Sequence, residues 1–393
     1  MKILFCIQGE GRGHLTQAIA VKEMVMAHGH QVVGVAVGMG SHRQLPAFFA
    51  SVMPTPVTVL ATPEFVFKHD RGVALPATLL RTLRRLPEYR RSLRQLHALV
   101  QTTQPDVIVN FFEPLAGLYA LTRRHRPPVV AVGHQFMFEH PDYVRAPGLR
   151  MQQWGMKWFV RVVGSASTRV ALSLYAAPDL PRKSLVVCPP VLRRQLFELQ
   201  PNPAGKFVLV YLVNHGYSEA IIQWHRQHPE TELHCFCAKP NAPAEERHSP
   251  NLTFHALNGE KFLRMMSECR AVVCTAGFES VSEAAYLGKP LFMVPVENHV
   301  EQQINAIDAV NQGLGITDRT FNLDRLGELP ERLSNGTFCN WLAQAESILL
   351  RTLEQAVAGS KPQPGKTHSQ PEPPLKAAAN TPAPAAALRG RSH

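Results

Sequence analysis

The chain has 393 residues, 45% of them hydrophobic and 18% charged, with a formal net charge of +11. That length suits two or three domains and that apolar content supports buried cores, which excludes a chain disordered throughout. No stretch reaches the roughly 18 uninterrupted apolar residues of a spanning helix. From Gly359 onward, Lys361, Lys366, Lys376, Arg389 and Arg391 stand against Glu372 and hold +4 of the charge, which leaves +7 on the preceding part. Such a balance favours an anionic partner: a nucleotide, a phospholipid surface or a nucleic acid.

The opening MKILFCIQGEG carries one lysine and a short apolar run before its glycines, so it reads as a first strand and not as a signal peptide. Seven cysteines (Cys6, Cys188, Cys235, Cys237, Cys269, Cys274 and Cys339) make an odd number without a C-x-x-C pair. Several fall in expected strands, which suits buried, reduced thiols and a cytoplasmic protein.

The strand Lys2–Gln8 leads into Gly9-Glu10-Gly11-Arg12-Gly13-His14, a helix over 15–27 and a second strand over 31–37. This βαβ opening lacks both the spacing of a dinucleotide fingerprint and the acidic residue that would hold a ribose. Residues 57–62 read as a third strand. A helical region follows over 76–103, split at Pro87, with Arg81, Arg84, Arg85, Arg90, Arg91 and Arg94 among leucines. It reads as a solvated basic face over a leucine core stripe, or as a face for anionic lipid headgroups.

Strands at 106–111 and 129–132 end in Phe112-Glu113-Pro114 and Gly133-His134-Gln135. Ligands of open α/β sheets collect at the carboxyl ends of strands, which puts Glu113 and His134 on one rim with His14. The stretch 149–163 carries Met151, Trp154, Trp158 and Phe159 with Arg150, Lys157 and Arg161. It reads as a core stripe, with an exposed aromatic and basic surface for lipid as the other reading. Strands at 171–174 and 185–187 and the stiff connector Cys188-Pro189-Pro190 close the first half, and a boundary falls at 190–205.

The alternation restarts with a strand at 207–213, followed by Asn214-His215-Gly216 at a helix start, a second candidate phosphate loop. Strands at 233–237 and 252–255 and a helix at 259–267 come next. Residues 271–305, AVVCTAGFESVSEAAYLGKPLFMVPVENHVEQQIN, then give a strand, a small-residue turn at Thr275-Ala276-Gly277, a helix over 278–287 and a buried strand at 291–294. The helix would aim its free N–H groups at a phosphate, Gly277 would admit close approach, and Glu283, one turn in, could accept a vicinal diol. Glu301, Gln302, Gln303 and Asn305 offer groups suited to sugar hydroxyls. An amphipathic run at 340–356 precedes a Pro/Ala-rich tail that lacks a core-forming pattern.

The spacing from Gly277 through Glu283 to Pro295 and Glu301-Gln302 resembles the donor signature of GT-B glycosyltransferases, including the plant and animal UDP-sugar transferases and the family 28 N-acetylglucosaminyltransferase. The glycine loop ending in His14 resembles their first loop. The match is closest to a poorly described bacterial and archaeal branch with G-x-G-x-G-H-like and T-A-G-F-E-S-like segments. Thr275 stands where many plant members have a histidine, and Glu279 where they have an asparagine; a carboxylate there would repel a diphosphate unless it pointed away.

The resemblance implies an α/β fold of two Rossmann-like domains facing across a cleft, with an acceptor domain at 1–190, a donor domain at 205–355 and a tail at 359–393. It implies transfer of a hexose or N-acetylhexosamine from a nucleotide-diphosphate sugar, with UDP as the expected nucleotide, to a sugar, lipid or small-molecule acceptor. Inversion at the anomeric carbon and metal-free chemistry are expected, the latter because no D-x-D pair occurs, and no cofactor or nucleic-acid partner is implied.

In these roles His14, or else Glu113 or His134, would be the base. Thr275, Gly277, Phe278, Ser280, Asn214 and Gly216 would line the diphosphate, Leu257 the base of the nucleotide, Glu283 the ribose, and Glu301, Gln302 and Gln303 the sugar. The alternatives are a nucleotide-sugar 2-epimerase and a non-catalytic nucleotide-sugar or lipid-binding protein. A cytoplasmic chain, bound at most peripherally to the inner face of a membrane, completes the expectation.

Overall fold

The computed structural model describes residues 1–40, 44–63, 67–68, 72–73, 75–123, 126–212, 215–239 and 242–359. Asn214 and the tail from 360 lie outside the described residues. Apolar runs form the strands β1 (Lys2–Gln8), β2 (Gln31–Met39), β3 (Val57–Ala61), β4 (Phe67–Lys68), β5 (Gly72–Val73), β6 (Val107–Phe111), β7 (Val129–Gly133), β8 (Thr168–Leu172) and β9 (Leu185–Cys188). The second half supplies β10 (Val208–Leu212), β11 (Leu233–Cys237), β12 (Glu245–Ser249), β13 (Leu252–Ala256), β14 (Ala271–Cys274), β15 (Leu291–Met293) and β16 (Gly315–Thr317).

The first sheet runs β3-β2-β1-β6-β7-β8-β9 and is parallel throughout. Helices on both faces explain why β6 and β7 are buried at every position. The second sheet runs β12-β13-β11-β10-β14-β15-β16, parallel except for the antiparallel edge strand β12. Each order reverses once, between β1 and β6 and between β10 and β14, and a doubly wound sheet binds ligands at the carboxyl side of such a reversal. Ile7 pairs with Phe111, so the loops carrying His14 and Glu113 leave the sheet side by side. Gly9 is required there: a Cβ would meet the Gly38 carbonyl at 2.8 Å.

The chain ends by crossing back. Trp341 donates its indole N–H to the Ser173 carbonyl at 2.9 Å, and Cys188 donates its thiol to the Ala345 carbonyl at 3.7 Å. The helix Ala345–Val357 then lies on β6, β7, β8 and β9 with Leu349 and Leu353 fully buried. The amphipathic run grouped with the second unit thus covers the first sheet.

Two core expectations are corrected. Met151, Trp154 and Trp158 are 85%, 73% and 62% exposed, because the helix Arg150–Val163 turns its opposite face, with Phe159, Val160 and Val163, onto the core. The leucines at 76–103 divide likewise: Leu96 is buried, while Leu80, Leu83 and Leu86 are exposed on the helices Leu75–Arg84 and Leu86–Thr103. The cysteines are all free thiols, six of them buried.

Truncation tests the crossing helix. Ending the chain after Gly359 should leave the melting temperature unchanged, whereas ending it after Gln344 strips leucines that each contribute about 2–5 kcal/mol and should lower it by ten degrees or more. Equal melting points for the two truncations, read by scanning calorimetry, would contradict the packing.

Candidate active site

The two reversal points face one another. On the second sheet, β14 ends in a turn where Ala276 holds a left-handed φ of 57°, an unusual conformation for a side chain with a Cβ. It is held by Asn305, whose amide donates to the Ala276 carbonyl at 3.2 Å. The helix Phe278–Tyr286 starts at Gly277 with no side chain capping its N–H groups, and nothing lies within 4 Å of where a Gly277 Cβ would be. Thr275 is buried beneath the turn and Ser280 is half-buried in the first helical turn. Gly216 lies in a 3₁₀ turn, His215–Tyr217, ahead of the helix Ser218–Gln227. Leu257, half-buried, precedes Asn258, which caps the helix Gly259–Glu268 by accepting from Lys261 N–H at 3.0 Å.

Opposite this turn stands His14, in the first turn of the helix Arg12–Ala27 and stacked on Phe112 at 5.8 Å. Its Nδ1 lies 3.3 Å from Gln17 Oε1 and its Nε2 3.5 Å from Gln135 Nε2. Although the residue keeps some exposed surface, desolvation of the ring pulls its pKa down to about 4, against a smaller upward pull from the Gln17 bond. The helix N-terminus also disfavours imidazolium. His14 is a neutral imidazole at physiological pH.

Glu113 and His134 share the rim, each already engaged by neighbouring groups. Glu113 is the N-cap of the helix Pro114–Thr122: Oε2 accepts from Ala116 N–H and Oε1 from the Thr62 hydroxyl, each at 2.7 Å. Burial pushes its pKa up to about 7, against those hydrogen bonds. His134 has both nitrogens engaged, Nδ1 with the Leu172 carbonyl at 2.7 Å and Nε2 with the Tyr143 hydroxyl at 2.9 Å. Its ring lies flat on Phe278 of the opposite domain, 3.9 Å between centroids. Burial lowers its pKa to about 4.

Further contacts close the cleft. Gln17 donates to Glu279 Oε1 at 2.6 Å, Gln135 donates to Glu301 Oε1 at 3.0 Å, and the Tyr143 hydroxyl reaches Asn305 Oδ1 at 3.5 Å. Glu279 therefore points across the cleft, and burial raises its pKa to about 8. Glu301 is raised as well, again by burial. Gln302 turns back on its own loop, accepting from Val296 N–H at 2.9 Å, and Gln303 is half-buried on the same helix, Val300–Asn311. A cavity of about 580 Å³ lined by Lys206, Trp224, His228 and Arg270 opens at the amino ends of β10 and β14, away from this rim.

Glu283 is buried and ion-paired. Arg193, on the connector between the sheets, donates to its Oε1 from Nε at 3.1 Å and from Nη2 at 2.5 Å. The Arg193 guanidinium also borders Gly259, 3.1 Å from where a Cβ would be, and so lies between Gly259 and Glu283. Arg193, Gln17, Gln135 and Tyr143 escape the sequence reading. The available signals were modest: a basic pair after a stiff Pro-Pro connector, and a glutamine flanked by Leu15, Ala18 and Val21 on an inward helix face.

Two facing Rossmann-like domains with such opposed rims define the GT-B fold. The chain belongs to glycosyl transferase family 1, whose model matches residues 1–334. An uncharacterized glycosyltransferase of Methanosarcina acetivorans is 23% identical, over 80% of this chain and 83% of its own. A UDP-N-acetylglucosamine–N-acetylmuramyl-(pentapeptide) pyrophosphoryl-undecaprenol N-acetylglucosamine transferase of Alkaliphilus metalliredigens is 21% identical, over 90% of this chain and 96% of its own. Among solved structures, a UDP-glucosyltransferase from Polygonum tinctorium aligns with a TM-score of 0.58 at 16% identity, covering 91% of this chain and 98% of that one. The UDP-GlcNAc 2-epimerase of Neisseria meningitidis also reaches 0.58, at 14% identity and 90% and 100% coverage.

Asp308 is 1% exposed on the helix Val300–Asn311, and neither carboxylate oxygen has a partner among the described residues. Burial pushes its pKa up to about 7. The folded state therefore holds this proton above the pH at which the unfolded chain releases it, so stability falls as pH rises toward 7. Keeping the group charged at pH 8 costs at most roughly 4 kcal/mol. Asp308→Asn should raise the melting temperature more at pH 8 than at pH 5, and equal shifts at the two pH values would refute the assignment.

Proposed function

We propose that the protein transfers a hexose or N-acetylhexosamine from a nucleoside diphosphate, with UDP as the nucleotide, to an acceptor hydroxyl with inversion. The observation that supports this best is a neutral imidazole, His14, on one rim facing an uncapped helix start at Gly277 on the other. His14 takes the proton of the acceptor hydroxyl as that oxygen attacks the anomeric carbon and the bond to the diphosphate breaks. The free N–H groups at Gly277, Phe278 and Ser280, with Gly216, receive the negative charge of the departing diphosphate in place of a cation.

Both Arg193 bonds land on Glu283 Oε1, so Oε2 is the atom we assign to the ribose diol. Leu257 borders the base of the nucleotide, and Glu301, Gln302 and Gln303 take the sugar hydroxyls, Glu301 through the oxygen that the Gln135 bond to Oε1 leaves free. Epimerisation of the donor is the second reading, because the same architecture serves the epimerase. The family match and the placement of the neutral imidazole on the acceptor-side rim favour transfer.

Donors are found by thermal shift with a panel of nucleoside diphosphates and their sugars, since binding to the native state raises the melting temperature. Glu283→Ala should weaken the selected donor by about 1.5–3 kcal/mol. His14→Ala should lower turnover roughly 10²- to 10⁴-fold with donor affinity nearly unchanged, while Glu113→Gln keeps turnover. The acid limb of the pH–rate profile should lie near 4 to 5, below the ordinary histidine range, because the folded enzyme holds His14 deprotonated down to about 4. Near wild-type turnover of His14→Ala would dismiss this base, and sugar epimerised without acceptor would favour the second reading.

A peripheral membrane site is part of the proposal. Met151, Trp154 and Trp158 stand exposed on one helix with Arg150 and the half-buried Lys157, and the helix Leu86–Thr103 adds the exposed Arg90, Arg91 and Arg94. The helix Pro114–Thr122 lies between them with Leu118 and Leu121 exposed. Exposed aromatics ringed by cations fit an anionic bilayer. Among the described residues no helix is long and apolar enough to cross a membrane. Vesicles containing phosphatidylglycerol should bind the protein at low salt and release it as ionic strength rises, and Trp154→Ser with Trp158→Ser should abolish binding. Equal binding to neutral vesicles, or to the double variant, would rule this out.

A further inference from the structure

Both nitrogens of His14 meet the side chain of a buried glutamine, and each glutamine reaches on to a carboxyl of the opposite domain. Gln17 is 3% exposed and Gln135 is 6% exposed. Along one path His14 Nδ1 meets Gln17 Oε1 at 3.3 Å, and Gln17 Nε2 donates to Glu279 at 2.6 Å. Along the other, Gln135 Nε2 lies 3.5 Å from His14 Nε2 and donates to Glu301 at 3.0 Å. In the structure the NH₂ end of Gln17 faces Glu279 Oε1, which turns its carbonyl toward His14 Nδ1 and calls for a proton there. The NH₂ of Gln135 faces Nε2, which must then present a lone pair.

We propose that Gln17 and Gln135 are the positioning residues of His14, fixing its Nδ1–H tautomer through anchors that exist only when the two domains are seated together. This rests on the reading of His14 as the base and adds what sets its orientation. An acidic partner on Nδ1 would also orient the ring, but it would add a negative charge and favour imidazolium. An amide orients without charge. The titratable groups facing the ring are then Glu279 and Glu301 from the donor side, each one amide away, and Phe112 shields its flank.

The arrangement makes the tautomer a reporter of closure. With the domains apart, Gln17 loses Glu279 and Gln135 loses Glu301, so either amide can rotate and the imidazole proton is free to move to Nε2. Seating the donor domain restores both anchors, and the Nε2 lone pair again faces the cleft between the rims. Coupling the base to domain seating in this way confines general-base chemistry to the closed form.

The experiment is a long-range ¹H–¹⁵N correlation on the full chain labelled at histidine, with His14 assigned by comparison with His14→Ala. The wild type should show Nδ1–H. Gln17→Leu should redistribute the proton between the nitrogens and lower turnover of the donor found by thermal shift some 10- to 100-fold at unchanged KM. Gln17→Asn, with a shorter amide, repeats this reading should the leucine variant not fold. Gln17→Glu should keep Nδ1–H and move both the titration of His14 and the acid limb of the pH–rate profile upward by about one pH unit or more. An Nε2–H wild type, or a Gln17→Glu variant whose His14 titration does not move, overturns the proposal. A tautomer that shifts in Gln17→Leu while turnover stays constant upholds the positioning and instead removes His14 as the base.

Discussion

Desolvation of acidic side chains where the two rims meet is the constraint around which this molecule is arranged. A carboxylate taken out of water costs several kcal/mol unless paired, hydrogen-bonded or protonated. The closed cleft uses all three answers. Glu283 is paired with Arg193, Glu301 accepts from Gln135, and Glu279 accepts from Gln17 with its pKa pushed up to about 8. Each solution draws on a residue from across the cleft or from the connector, so the seating of the domains and the charge state of the site are one problem.

That constraint bears on the difficulty posed by Glu279. A carboxylate in the first turn of a helix that we propose faces a diphosphate should oppose that ligand, yet this one leans toward Gln17 and burial raises its pKa to about 8. A neutral carboxyl adds no repulsion, and its O–H is one more donor near the helix start. Asp308 is the unsolved remainder, buried on the same helix as Glu301 and Asn305 without a partner of its own among the described residues.

Much of the frame was legible because parallel strands buried on both faces read as continuous apolar runs, and VIVNF, VVAVG and AVVC admit little else. The helix Phe278–Tyr286 was legible because a small-residue turn follows a short apolar run and apolar residues then recur at helical spacing. The edge strand Glu245–Ser249 was not, since EERHS has no apolar face and is almost wholly exposed, a strand formed only by its pairing with β13. Residues 345–357 announced a helix with one apolar side, but periodicity states that a face is buried and not against which sheet. The same limit put Trp154 and Trp158 inside: aromatic content marks a face without saying whether protein or solvent covers it.

The site was legible in its charges and not in its amides. Histidines and acids invite attention because they titrate, whereas Gln17 and Gln135 matter through the direction in which a neutral group points, and direction is a property of the assembled cleft. Arg193 makes the same point from the connector. Its sequence neighbourhood says only that the chain is stiff there, yet placing a guanidinium on Oε1 of Glu283 orients that carboxylate and leaves Oε2 without a bond from Arg193. Because the connector links the domains, any rotation that opens the cleft also pulls on this pair. The connector and the Glu283 carboxylate therefore share a side-chain contact, and a displacement of one is felt by the other.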